Sequence, residues 1–177
     1  MKTNLPNQKI KFVLFIFLLS ILFKPVWLFD INNLGEPGQD DLSYWLHSAT
    51  IVYDSDIKYQ YDYQVKIGKF DIDTNIPYHP PGAGYLSAPF VYVFSFFDNS
   101  VPERLNPVGS FAYLGFFTAT LFYFLLGSFL LSKALRPTKL HQILFFSALV
   151  GTTTHFVTTR FMMSHSVEFF LCSAIIY

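Results

Sequence analysis

Residues 111–131 read FAYLGFFTATLFYFLLGSFLL, a run with no acid, base, histidine or proline. At about 1.5 Å per helical residue such a run spans roughly 30 Å, the thickness of a bilayer's hydrocarbon core. It predicts a membrane-spanning helix over 110–131, and the charge-free stretch around it extends from Asn106 to Ser132. Outward from this helix the same composition recurs. Phe12 to Phe29 is apolar apart from Ser20, Lys24 and Pro25, and Leu140 to Thr159 has no Asp, Glu, Lys or Arg. Phe169 to Tyr177 begins another apolar run. Those nine residues reach only about 13 Å, so the chain is expected to stop inside a helix, as part or early-terminated product of a larger multispanning protein. The fold class expected is an all-α membrane protein: a multispanning bundle with spans at about 12–29, 110–131 and 140–159, an incomplete fourth at 169–177, and a partly helical outer loop at 30–107.

Composition agrees. The chain of 177 residues is 52% hydrophobic and 20% aromatic, with 22 Phe, and only 14% charged, against roughly 25% in soluble domains. The zero net charge hides a segregation. Lys2, Lys9 and Lys11 open the chain without an acid, Asp30 to Asp73 holds nine carboxylates and three lysines, and Lys133, Arg136 and Lys139 form a second basic cluster. Neither cluster interleaves aromatics along a basic stripe, which excludes a nucleic-acid footprint. By the positive-inside rule both clusters belong in the cytoplasm, the N-terminus included. Two spans separate them, so the two assignments agree, and the 30–107 loop lies outside with the Thr158–Glu168 turn. A signal peptide would also show a basic flank and an apolar centre, but no small-x-small cleavage site follows Phe23. The lone Cys172, in an apolar stretch, reads as a small filler.

The outer loop carries its own pattern. Leu42, Trp45, Leu46, Ala49 and Val52 recur at helical spacing, predicting an amphipathic helix over Asp41–Tyr53 with Asp40 as its N-cap after the breaker Gly35-Glu36-Pro37-Gly38. Tyr85 to Phe97 is apolar but short and contains Pro89, which suits an interfacial or re-entrant helix.

Four clusters have chemistry in reach, each beside a plainer role. Asp40 and Asp41 point about 100° apart on a helix, so one can face a cleft while the other caps or orients. An ionised carboxylate at the membrane surface can take a proton from a hydroxyl or ligate a cation, while a helix cap and a solvated acid use the same residues. Asp54-Ser55-Asp56 resembles the start of a calcium loop, but Lys58 stands at the third ligand position and no Gly follows, which excludes an EF-hand. A turn is the plain reading. His79-Pro80-Pro81-Gly82 is a rigid turn whose histidine can bind phosphate or a hydroxyl. Arg160, His165 and Glu168 fall at the outer mouth of the third and fourth spans, with His165 and Glu168 spaced to pair on a helix. A zinc helix would need a second histidine, so no metal site is marked.

Taken in order, these pieces resemble the N-terminal part of the GT-C superfamily of membrane glycosyltransferases, which includes the protein O-mannosyltransferases and the bacterial aminoarabinose transferases. The resemblance runs from about Phe12 to Glu168. It rests on a first span, an acidic pair in Gln39-Asp40-Asp41, a Tyr-rich helix at Tyr44-Trp45-Leu46, the stretches Asp54-Ser55-Asp56 and Tyr61-Asp62-Tyr63, the Pro-Gly turn at His79-Pro80-Pro81-Gly82 and Ser164-His165-Ser166. The resemblance implies an enzyme in a bacterial inner membrane that moves a sugar from a polyprenyl-phosphate donor to an acceptor hydroxyl on a glycan, lipid or protein, inverting the anomeric centre. It places the catalytic carboxylate at Asp40, with Asp41 as its neighbour. The donor phosphate then needs cations, for which Arg160, Arg104 and Lys58 are the candidates. Asp54, Asp56, His79, His165 and Glu168 are the candidates for holding substrate. A divalent cation has room in this scheme and no organic cofactor is needed. The competing class is a non-enzymatic membrane protein, a transporter fragment or assembly subunit, and a third reading is an inactive truncated relic of the enzyme. A transporter is expected to place charges or broken helices near the bilayer midplane, and the expected spans hold only Pro25 and His155 there.

Overall fold

The computed structural model describes residues 39–59, 77, 79–103, 106–134 and 164–177. Outside the described residues lie the expected spans at 12–29 and 140–159, the breaker before Gln39, Tyr61-Asp62-Tyr63, and both arginine candidates, Arg104 and Arg160. Four α-helices and no β-strand occur among the described residues: α1 (Gln39–Ala49), α2 (Gly82–Ser95), α3 (Phe111–Ala134) and α4 (His165–Ile176).

α3 is the helix anticipated from the 111–131 run. It holds 24 residues at a mean hydropathy of 1.9, long and apolar enough to cross a membrane. It is apolar on every face rather than striped, as a helix with apolar surroundings on all sides should be. Its N-terminus is closed by the loop that precedes it. The Asp98 carboxylate accepts from the Phe111 N–H at 2.7 Å and the Ala112 N–H at 2.9 Å, placing negative charge on the positive end of the helix dipole. At the other end, Lys133 lies over the Phe129 ring at 4.3 Å and the Tyr177 ring at 5.7 Å, where a cation favours both the dipole and the aromatic faces.

α2 runs antiparallel to α3. Phe97 meets Phe111 near the connecting loop, while Phe90 and the Leu86 carbonyl meet Tyr123, whose hydroxyl donates to Leu86 O at 3.0 Å. α2 extends from Gly82 to Ser95 with Pro89 on an exposed face, where the missing N–H opens toward the surroundings rather than into the core. Its inner face is small: Ala83, Ser87 and Val91 recur every fourth residue, with Gly84 and Ala88 beside them. Tyr92 and Val93 on its outer face, and Phe96 and Phe97 in the turn that follows, are apolar and exposed.

α4 packs on α3 in the same direction. Phe169 and Phe170 meet Phe124 and Tyr123, and Tyr177 reaches Lys133 one end further on. Gly127 is the close approach. A Cβ there would lie 2.9 Å from Phe170 Cα and 2.9 Å from Phe169 Cδ1. Gly127→Val is expected to cost about 1–3 kcal/mol through overpacking against backbone that cannot swing away. A lowered thermal midpoint in detergent, with protease cleavage between α3 and α4, would register it.

α1 departs from the expectation in two ways. The helix starts at Gln39, so Asp40 sits in its first turn instead of capping it. It gives way after Ala49 to a π-helical turn over Thr50–Asp54, ending at Ser55 with φ 58°. The expected apolar face is in the core, with Leu42, Trp45, Leu46 and Ala49 all buried. The opposite face is buried as well: Ser43, His47, Ser48 and Thr50 are each 5% exposed or less. α1 is therefore amphipathic as expected, with its polar face enclosed rather than solvated. Trp45 packs edge-on to Tyr113 of α3, and the polar face is covered by His79–Gly84 and by Asp56–Tyr59, where hydrogen bonds replace water. The Ser48 hydroxyl donates to the Gly84 carbonyl at 2.6 Å.

Candidate functional site

Asp40 stands on the first turn of α1 with its side chain 53% exposed, and its Oδ1 lies 3.2 Å from His79 Nε2. Asp41, one residue on and about 100° around the helix, is only 4% exposed. It lies near enough to the Tyr113 phenol of α3 to act on it electrostatically. One carboxylate of the pair thus faces outward and the other inward, the division of labour that adjacent helical positions impose.

His79 is held to α1 on three sides. Its N–H donates to Ser43 Oγ at 2.9 Å, its carbonyl accepts from His47 Nε2 at 2.8 Å, and its ring stacks on Tyr44 with centroids 5.0 Å apart and planes 17° from parallel. Ser43, Tyr44 and His47 lie within one helical turn, so a single stretch of α1 grips both the backbone and the ring of this residue. The rigid Pro80-Pro81 pair follows, leading into α2.

The Tyr44 hydroxyl donates to Ser164 Oγ at 3.3 Å, and Ser164 Oγ donates to Glu168 Oε1 at 2.6 Å. Glu168 Oε2 lies 3.5 Å from His165 Nδ1, the pairing that the spacing anticipates. Asp40, His79, His165 and Glu168 are therefore brought to one end of the bundle, joined through Tyr44 and Ser164. The links between them, Ser43, Tyr44, His47 and Ser164, carry no motif of their own. The signal for them in the sequence is Ser43 and His47, one turn apart on the face of α1 opposite Trp45.

Lys58, Asp54 and Asp56 lie elsewhere. Asp54 ends the π-helical turn that follows α1, and the chain then folds back on that turn, Lys58 O lying 3.3 Å from Thr50 Oγ1. Asp56 closes its own turn, its Oδ1 accepting from the Lys58 N–H at 2.8 Å and lying 3.4 Å from Thr50 Oγ1. Lys58 is exposed.

Behind His79, the His47 ring is 1% exposed. Because Nε2 faces a carbonyl it carries the proton, which leaves Nδ1 to accept from the Tyr59 hydroxyl at 2.7 Å. Tyr59 OH in turn meets Tyr85 OH at 3.2 Å. Burial holds the imidazole below its ordinary value of 6.5. The bond to the His79 carbonyl opposes that shift, and the neighbouring His79 ring adds to it. An unfolded His47 takes up a proton near pH 6.5 while the folded one stays neutral, so the stabilisation is complete above that pH and is lost on acidification below it. The thermal midpoint of the protein is expected to fall between pH 7.5 and 5.5, and His47→Gln should flatten part of that slope.

No protein-family model, no curated protein and no solved structure matches the chain.

Proposed function

We propose that the chain belongs to a multispanning membrane glycosyltransferase of the GT-C kind, seated in a bacterial inner membrane with its N-terminus in the cytoplasm. In this reading it moves a sugar from a polyprenyl phosphate to an acceptor hydroxyl on the outer face. The observation that carries the reading is the meeting of Asp40, His79 and the Ser164–Glu168 segment at one end of the bundle. These are three stretches far apart in sequence, each a separate element of the resemblance. An exposed carboxylate beside two histidines and a second carboxylate is a setting in which a hydroxyl can be bound and deprotonated.

Asp40 accepts the hydroxyl proton while the acceptor oxygen bonds to the anomeric carbon. The carbon–oxygen bond to phosphate breaks on the opposite face, and the prenyl phosphate leaves with the electron pair, which inverts the centre. The lipid phosphate is already a good leaving group and needs charge stabilisation more than a proton. Arg104 and Arg160 are the proposed sources of that charge. Lys58, Asp54 and Asp56 gather at the turn that ends α1 and are proposed to meet a distal part of the substrate. The parallel course of α3 and α4 supports the multispanning part of the proposal. Two adjacent parallel helices need the chain to return between them, and the apolar 140–159 stretch is long enough to do so across a bilayer. The exposed aromatic face of α2 would then lie against lipid or the prenyl chain.

The test is transfer itself. Full-length protein reconstituted in native lipid and given radiolabelled polyprenyl-phosphate hexoses and pentoses should move label from the lipid to a membrane acceptor. Uptake of a solute by proteoliposomes, with no transfer from any donor, would replace the enzyme by a transporter.

A further inference from the structure

We propose, on the basis of the glycosyltransferase reading, that His79 is the positioning residue of Asp40 and that α1, which carries Asp40, holds His79 beside it as one preassembled unit. The imidazole Nε2 lies 3.2 Å from Asp40 Oδ1. Two lone pairs at that distance repel, so Nε2 carries a proton in either the neutral or the charged ring. The N–H is not aligned on Oδ1 as a hydrogen bond, so the ring edge restrains that oxygen by contact and charge attraction and leaves Oδ2 to meet the incoming hydroxyl. Asp40 is half exposed, and an exposed carboxylate with no such contact samples several rotamers. Holding one rotamer is worth a large factor in rate, because the base must sit within hydrogen-bond reach of the proton it removes.

The histidine is itself over-determined. Ser43 and His47 fix its backbone, and Tyr44 fixes the plane of its ring. All of these and Asp40 lie within the first nine residues of α1. The grip on the main chain does not use the imidazole, so removing the ring leaves the backbone at residue 79 anchored. Tyr44 also ties the unit to α4 through Ser164, which places the carboxylate relative to the mouth of the bundle.

Three substitutions in the full-length protein separate positioning from packing. His79→Phe keeps the stack on Tyr44 and loses the donor, His79→Ala loses both, and His79→Gln keeps an N–H at the Nε2 position. With the donor that the wild-type protein turns over, kcat is expected to fall about 10–100-fold in His79→Phe and His79→Ala, with KM for the lipid donor within about threefold. His79→Gln should recover to within about threefold of wild type. A wild-type kcat in His79→Phe would overturn the inference by showing that only the stack matters. A rise in KM with kcat unchanged would overturn it in favour of donor binding, and a His79→Gln variant as slow as alanine would overturn it too. In each of these cases a dead Asp40→Asn control leaves the parent reading standing. An active Asp40→Asn control would remove both.

Discussion

Asp40→Asn is expected to lower the rate of sugar transfer by about 10²–10⁴-fold, the usual contribution of a positioned general base. The substitution is nearly isosteric, and the side chain is 53% exposed, so folding stability should move by no more than about 0.5 kcal/mol. The amide oxygen can still face His79 Nε2, which keeps the local geometry while removing the capacity to accept a proton. Asp41→Asn is the informative contrast. That carboxylate is 4% exposed and faces α3 through Tyr113, so its loss should appear in the yield and thermal midpoint of the protein before it appears in kcat. A transfer assay on membranes normalised for protein content distinguishes them. Asp40→Asn within threefold of wild type would take Asp40 out of the chemistry.

Gly84→Ala is expected to destabilise the packing of α1 on α2 by about 3 kcal/mol, at the upper end of overpacking effects. A Cβ at this position would lie 2.5 Å from the Tyr44 carbonyl oxygen and 2.5 Å from His47 Cβ. Both are the body of α1 rather than the tip of a flexible side chain, so relief requires the helices to separate. Separation breaks the bond from Ser48 Oγ to the Gly84 carbonyl and pulls His47 from the His79 carbonyl, so the site loosens with the packing. The substitution should therefore lower the thermal midpoint and the transfer rate together. Gly82→Ala, where an added Cβ meets nothing within 4 Å, should change neither. Equal stability of the two variants would contradict the tight crossing.

The helices were legible wherever one physical signal dominated. The charge-free run around Phe111–Leu131 could be little other than a long apolar helix, and α3 follows it within a few residues. The 3.6-residue recurrence of Leu42, Trp45, Leu46 and Ala49 marked the core face of α1 in the same way. What periodicity does not carry is the fate of the other face. Serine, histidine and threonine on a helix read as solvated, yet Ser43, His47 and Ser48 are enclosed under His79 and Gly84, while Tyr59 answers the other His47 nitrogen and the Asp56–Lys58 turn answers Thr50. The covering by His79 and Gly84 is a long-range contact, and no local pattern encodes it.

The site was legible in its ends and not in its joints. Asp40, His79, His165 and Glu168 stood out because ionisable residues are sparse in so apolar a chain. Tyr44 and Ser164 did not, because a tyrosine beside a tryptophan and a serine before a histidine are unremarkable until the fold sets the hydroxyls 3.3 Å apart. At Asp56 the plain reading of its motif, a turn, is visible: Oδ1 accepts from the Lys58 N–H, a common use of an aspartate two residues before an N–H.

The central claim is that the Asp40 carboxylate and the Ser164–Glu168 mouth share one cleft on the non-cytosolic face. In a Cys172→Ser background, Asp40→Cys and Ser164→Cys should each react with a membrane-impermeant maleimide added to intact cells. Prior exposure to the polyprenyl-phosphate donor should slow both reactions. Labelling of either position only after the membrane is permeabilised would contradict the account.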